Sequence, residues 1–158
     1  MEIKYDLMII LSGPEPQRGL LEEKLKKEIT LYNGNVLFIK GIIEKAQKKE
    51  QIDNVTFYNF MHSRQLEQAL NESDTIICRS GYTSIMDLSK LNKKAFFIPT
   101  PGQYEQEYLA KKFKKEGLVP YTEQDLFNIK NLDEINNYKG LSEIKSNLNW
   151  PEIFNVFL

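Results

Sequence analysis

Thr75-Ile76-Ile77-Cys78-Arg79-Ser80-Gly81-Tyr82-Thr83-Ser84-Ile85-Met86-Asp87-Leu88 passes from an apolar run through a glycine turn into apolar positions at helical spacing, with no linker between them. A run this short, bounded by a turn, suits a strand buried on both faces, and the spacing predicts a helix over 84–91. Working outward, 63–71 reads as a helix with Leu66, Ala69 and Leu70 inward. Ala95-Phe96-Phe97-Ile98 reads as a strand that ends at Pro99-Thr100-Pro101-Gly102, and 105–116 is helical again.

Towards the N-terminus the same rhythm continues. Tyr5-Asp6-Leu7-Met8-Ile9-Ile10-Leu11 predicts the first strand. Leu20, Leu21, Leu25 and Ile29 predict a helix over 18–30 that closes at Asn33-Gly34. Residues 35–40 and 55–58 predict two further strands, and the lysine- and glutamine-rich stretch between them is assigned to neither state. Alternation of this kind predicts right-handed crossovers and a Rossmann-like parallel α/β sheet with helices on both faces. Ligands of such sheets bind beyond the carboxyl ends of the strands, which places the loops 12–18, 59–63, 79–83 and 100–106 on one rim. Residues 122–158 read as C-terminal helical segments of the same single domain, 1–158, with an apolar tail from Trp150 to Leu158 expected to pack against something.

The chain has 158 residues, 41% of them hydrophobic, enough for one buried core. Its 21 basic and 22 acidic side chains cancel to a formal charge of -1, so no global field favours nucleic acid as a partner. No apolar run approaches the roughly 20 residues of a membrane span. The charged start Glu2, Lys4, Asp6 is unlike a signal peptide, and the single cysteine, Cys78, excludes an internal disulfide. A cytoplasmic protein is expected. The lysine clusters near 24–27, 45–49 and 111–115 are solvated helix faces, or else a weak attraction to an anionic membrane surface.

The rim loops carry the chemistry. Ser12-Gly13-Pro14-Glu15-Pro16-Gln17-Arg18 either offers Ser12, Gly13 and Arg18 to a phosphate at a helix N-terminus, or is a proline-stiffened turn. Neither a dinucleotide fingerprint nor a P-loop is present. In 80–87, Ser84 can cap the helix and Asp87 can complete a capping box; alternatively the helix N-terminus takes a diphosphate and Asp87 a ribose diol. Cys78-Arg79-Ser80-Gly81 also resembles the start of a rhodanese-type sulfurtransferase loop, with Thr83 where that family has a second arginine. Residues 100–108 offer neutral amides and carboxylates at a helix start to sugar hydroxyls, or simply form an acidic first helical turn. His62, the only histidine, has no evident catalytic partner, and no residue cluster has metal-ligand spacing.

In order, Asp74 through Gly81, Ser84, Asp87, Phe97-Ile98-Pro99 and Gln106-Glu107-Tyr108 resemble the C-terminal domain of family 28 glycosyltransferases, the MurG type that moves N-acetylglucosamine to lipid-linked acceptors. The likeness covers roughly residues 6–121. It implies one half of a GT-B fold and a UDP-sugar donor, without a metal or other cofactor. Ser80, Gly81, Tyr82 and Ser84 would meet the donor diphosphate, Asp87 the ribose, and Gln106 and Glu107 the donor sugar. The turn at Phe60, Met61 and His62 would receive the uracil. The β1 loop departs from the family's more glycine-rich pattern. The resemblance further implies inverting transfer, with the acceptor site and the catalytic base in an N-terminal domain or a separate subunit. A nucleotide-sugar epimerase half and a non-catalytic nucleotide-sugar module share the same fold expectation.

Overall fold

The computed structural model describes residues 2–141, so the expected packing of the Trp150 to Leu158 tail lies outside the described residues. The chain forms β1 (Tyr5–Ile10), α1 (Gln17–Glu28), β2 (Val36–Ile39), β3 (Lys49–Ile52), β4 (Val55–Tyr58), α2 (Ser63–Asn71), β5 (Ser73–Cys78), α3 (Tyr82–Leu91), β6 (Lys94–Phe97) and α4 (Tyr104–Lys115). Short 3-10 segments follow at Gln124–Leu126 and Ile129–Asn137, within the stretch expected to form short helical pieces.

One sheet carries all six strands in the order β3-β4-β2-β1-β5-β6. Every pairing is parallel except β3 with β4. The five parallel strands therefore run outward both ways from β1, which puts the topological switch point between β1 and β5. Side-chain alternation divides the core in two. Met8, Leu37, Ile76, Ala95 and Phe97 face α2, α3 and α4, whereas Leu7, Ile9, Phe38, Ile77 and Phe96 face α1 and the 3-10 segment around Ile135. Phe127 closes the second layer with an edge-on contact to Phe96, ring centroids 5.4 Å apart.

Two local features differ from the sequence expectation. The buried stripe of α1 runs Arg18, Leu21, Leu25 and on to Ile29, while Leu20 faces solvent. The stretch between β2 and β4 contributes a strand instead of a crossover helix. β3 is exposed at all four positions and returns antiparallel through a two-residue turn at Asp53 and Asn54. Ahead of it the loop 41–48 is tied to Asn59. That side chain accepts from the Lys48 N–H at 2.8 Å and donates to the Ala46 carbonyl at 2.9 Å. Gly41 is required there: its φ is +73°, and a Cβ would lie 2.2 Å from the Leu11 carbonyl oxygen at the end of β1.

Candidate functional site

Two strand-to-helix turns flank the switch point, one after β1 and one after β5. In the β5 turn, Gly81 is the N-cap of α3 at φ -78°, with no side-chain cap. Its Ile85 N–H bond to the Gly81 carbonyl, 3.0 Å, starts the helix three residues earlier than a Ser84 cap would. Ser84 is therefore the third helical residue, and the capping-box expectation for Ser84 and Asp87 is overturned. A Cβ built on Gly81 meets nothing within 4 Å, so the space over the first turn of α3 is open. The leading N–H groups of a helix have no intrahelical acceptor, and the helix dipole adds partial positive charge there. Tyr82 packs against the core beneath.

Ser84 and Asp87 lie on one face of α3, three residues apart and about 4.5 Å along the axis. Asp87 is exposed and borders a groove of about 350 Å³ between α2 and α3, shared with Ser63, Leu66, Leu70 and Lys90. Phe60, Met61 and His62 lead directly into that groove, because His62 is the N-cap of α2. The Phe60 ring stands edge-on to His62 with centroids 5.2 Å apart. Both main-chain groups of Phe60 are occupied: its N–H donates to Asn59 Oδ1 at 2.9 Å and its carbonyl accepts from Gln47 Nε2 at 2.9 Å. The His62 carbonyl is likewise occupied, accepting from the Leu66 N–H at 2.8 Å.

The loop after β6 is fastened to the β5 turn. The Ser80 hydroxyl, fully buried, donates to the Gln106 carbonyl at 2.7 Å, and the Gln106 side-chain oxygen accepts from the Thr100 N–H at 2.8 Å. Only the NH2 end of the Gln106 amide is left for a ligand, and only as a donor. Glu107 follows in the first turn of α4, half-buried.

Arg79 is not among the residues that the sequence marks as ligand contacts. It is 3% exposed and donates to the carbonyls of Ile98 (3.1 Å), Pro99 (3.2 Å) and Gln17 (3.3 Å), joining the three rim loops from beneath. Burial pulls its pKa down to about 10. The usable signal was a charged residue directly after an apolar strand, where the chain is still inside the fold.

The β1 turn is filled from within. Glu15 accepts from the Gly19 N–H at 3.0 Å and pairs with Arg18, which also reaches Glu22 Oε1 at 2.7 Å and the Lys40 carbonyl at 2.8 Å. Burial disfavours the charge on Arg18, but the two carboxylates outweigh it and hold its pKa above the ordinary value. The expectation of Arg18 as a free phosphate ligand is corrected: its charge is already matched, and a carboxylate sits on the first turn of α1. Ser12 and Gly13 remain exposed at the loop tip.

Cys78 is 4% exposed, and desolvation raises its pKa to about 12. A thiol in that state is no nucleophile at neutral pH, which removes the physical basis of the sulfurtransferase alternative. Among the described residues, no group of three or more His, Cys, Asp or Glu side chains could hold a metal, and no helix is long and apolar enough to cross a membrane. A hollow of about 340 Å³ between α1 and the β3–β4 hairpin, lined by Lys26, Lys40, Asp53 and Phe57, lies at the far edge of the sheet.

The solved structure of Acinetobacter baumannii MurG superposes with a TM-score of 0.57 at 18% identity, over 82% of this chain and 39% of that one. ALG13 superposes with a TM-score of 0.57 at 18% identity, over 84% of this chain and 85% of the other. These likenesses establish the fold as one half of a GT-B architecture. In sequence, the chain is 27% identical over 135 residues to the UDP-N-acetylglucosamine--N-acetylmuramyl-(pentapeptide) pyrophosphoryl-undecaprenol N-acetylglucosamine transferase of Haemophilus ducreyi. That match covers 81% of this chain and 37% of the relative, so the chain spans little more than a third of its length. The model of the glycosyltransferase family 28 C-terminal domain matches residues 17–147, most of the chain, and to that family the protein belongs.

Proposed function

We propose that the chain is the donor-binding half of a UDP-sugar-dependent glycosyltransferase that transfers an N-acetylhexosamine with inversion. The acceptor and the catalytic base come from a second domain or subunit, which brings the donor to a lipid-linked acceptor at a membrane surface. The observation that carries this reading is the open Gly81 cap at the switch point, with Asp87 one turn beyond Ser84 on the same face of α3. A diphosphate over the first turn of α3 puts the attached ribose within reach of the Asp87 carboxylate, a fixed acceptor for two hydroxyls. The base then enters the α2–α3 groove beside Met61 and His62, and the sugar faces Gln106 and Glu107.

The chemistry assigned to this half is leaving-group stabilisation. Departure of UDP builds negative charge on the diphosphate, and preorganised N–H donors of Tyr82, Thr83 and Ser84 meet that charge without reorganising. Removing one donor of that kind typically slows an enzyme about 100- to 1,000-fold. The N-acetylglucosamine transferase activity of the Haemophilus ducreyi relative supports N-acetylglucosamine as the sugar.

Calorimetry with UDP, UDP-N-acetylglucosamine, UDP-glucose and NAD checks the reading. UDP and UDP-N-acetylglucosamine should bind saturably, UDP-glucose more weakly and NAD not at all. Absence of UDP binding at millimolar concentration overturns donor binding. Product analysis with the acceptor half restored then separates transfer from epimerisation: an altered free nucleotide sugar with no glycosylated acceptor favours the epimerase.

A further inference from the structure

Arg79 is a buried cation without a counter-ion among the described residues. Among the described residues its acceptors are three carbonyl oxygens, no carboxylate pairs with it, and its Nε has no partner at all. Two more buried polar atoms in the same region lack partners: the Thr100 hydroxyl and Gln124 Oε1, the latter on a side chain whose Nε2 donates to Gln17 Oε1 at 3.0 Å. Carbonyl dipoles orient a guanidinium but do not neutralise it, and a buried unpaired charge is costly to maintain. The sign of its pKa shift agrees. A base whose pKa falls on folding is destabilising while charged, so at neutral pH the free protein carries the desolvation penalty.

We infer that Arg79 is a positioning and charge-compensating residue whose counter-ion is the anionic ligand itself. The inference rests on the donor-binding reading and deepens it. Arg79 directly precedes Ser80 and Gly81 at the end of β5, and its guanidinium is buried among the Ile98, Pro99 and Gln17 carbonyls at the same rim. In a poorly screened interior, one unit charge attracts a diphosphate across several ångströms without touching it. The same side chain fixes the β6 loop through Ile98 and Pro99 and the start of α1 through Gln17, so the field and the geometry of the turn depend on one residue. The cost of an unpaired cation in the free protein then returns as affinity for a di-anion, and selectively: a neutral nucleoside gains nothing from it.

The test compares wild type, Arg79→Lys and Arg79→Gln in the full chain, each first shown to be folded by thermal unfolding, using UDP, inorganic pyrophosphate and uridine as probes. Arg79→Gln should weaken UDP roughly 10- to 100-fold, abolish competition by pyrophosphate and leave uridine within about twofold. Arg79→Lys should recover most of the UDP affinity. If Arg79→Gln does not fold, the wild-type Arg79 Nε–H resonance, assigned by its loss in Arg79→Lys, should shift on adding UDP or pyrophosphate and stay still with uridine. An Nε–H that ignores UDP overturns the inference, as does an unchanged ratio of UDP to uridine affinity in Arg79→Gln. Wild type that does not bind UDP is a different failure, which sinks the donor-binding reading and this inference with it.

Discussion

The two turns that flank the switch point have the same place in the fold and opposite contents. Each joins a buried parallel strand to a helix, and neither N-cap residue, Pro16 or Gly81, supplies a side-chain cap. In the β1 turn the protein fills the helix start with its own carboxylate, Glu15, and matches it with Arg18, itself held by Glu22. In the β5 turn no described residue enters the space over Gly81, and the nearby cation, Arg79, is buried with no carboxylate paired to it among the described residues. A helix N-terminus is an anion site only where the chain has not already satisfied it. The departure of the β1 loop from the glycine-rich family pattern thus has a structural counterpart in a self-neutralised ion cluster.

Substitutions at the two turns should separate them. The largest effect is expected from Gly81→Leu, whose side chain enters the open space: UDP affinity should fall by roughly 100-fold, while stability changes by no more than about 1 kcal/mol in chemical denaturation. Unchanged UDP affinity would show that the space is not the diphosphate site. Asp87→Asn should weaken UDP by roughly tenfold, the worth of a charged hydrogen bond, and leave the melting temperature alone. Full affinity in that variant would reduce Asp87 to a surface carboxylate.

Glu22→Gln probes the closed turn and should act on stability only. Burial pushes the Glu22 pKa up, but hydrogen bonds from Lys26 and Arg18 outweigh it, and the net value lies below 4.5. A depressed carboxylate stabilises the fold above its unfolded pKa and loses that contribution as pH falls through the folded one. The variant should therefore be less stable by about 1 kcal/mol at pH 7, with the gap closing below about pH 4, and UDP affinity should not move. A loss that persists unchanged at low pH would contradict the ion-pair account. The smallest effect belongs to Cys78→Ala, which should bind UDP within about twofold of wild type, and native Cys78 should resist iodoacetamide at neutral pH because the thiol stays protonated.

Much of this arrangement was legible in the sequence where local signals and burial agree. Strand-turn-helix alternation predicted the parallel sheet, and residues 63–71 and 55–58 have the bounds expected of them, because apolar periodicity and flanking polar residues point the same way. β3 was not legible: Lys49-Glu50-Gln51-Ile52 has no alternation, since an edge strand exposed at every position buries no face that could impose one. Arg18 was misread because Leu20 and Leu21 both fit a helical stripe, and only the register of α1 against the sheet shows that Arg18, Leu21 and Leu25 are the inward set. Ser84 fits a cap by residue type, but the N-cap of α3 is Gly81, three residues earlier. Arg79 has no periodic or motif signature, since its role depends on carbonyls contributed by two segments distant in sequence, Ile98-Pro99 and Gln17.

The contrast between the turns is tested most directly by following backbone amide resonances of the full chain as UDP is added. The account predicts that the N–H signals of Tyr82, Thr83 and Ser84 shift saturably along one binding curve while those of Arg18 and Gly19 stay in place. Shifts confined to Arg18 and Gly19, or no saturable shift at Tyr82, Thr83 and Ser84, would contradict it.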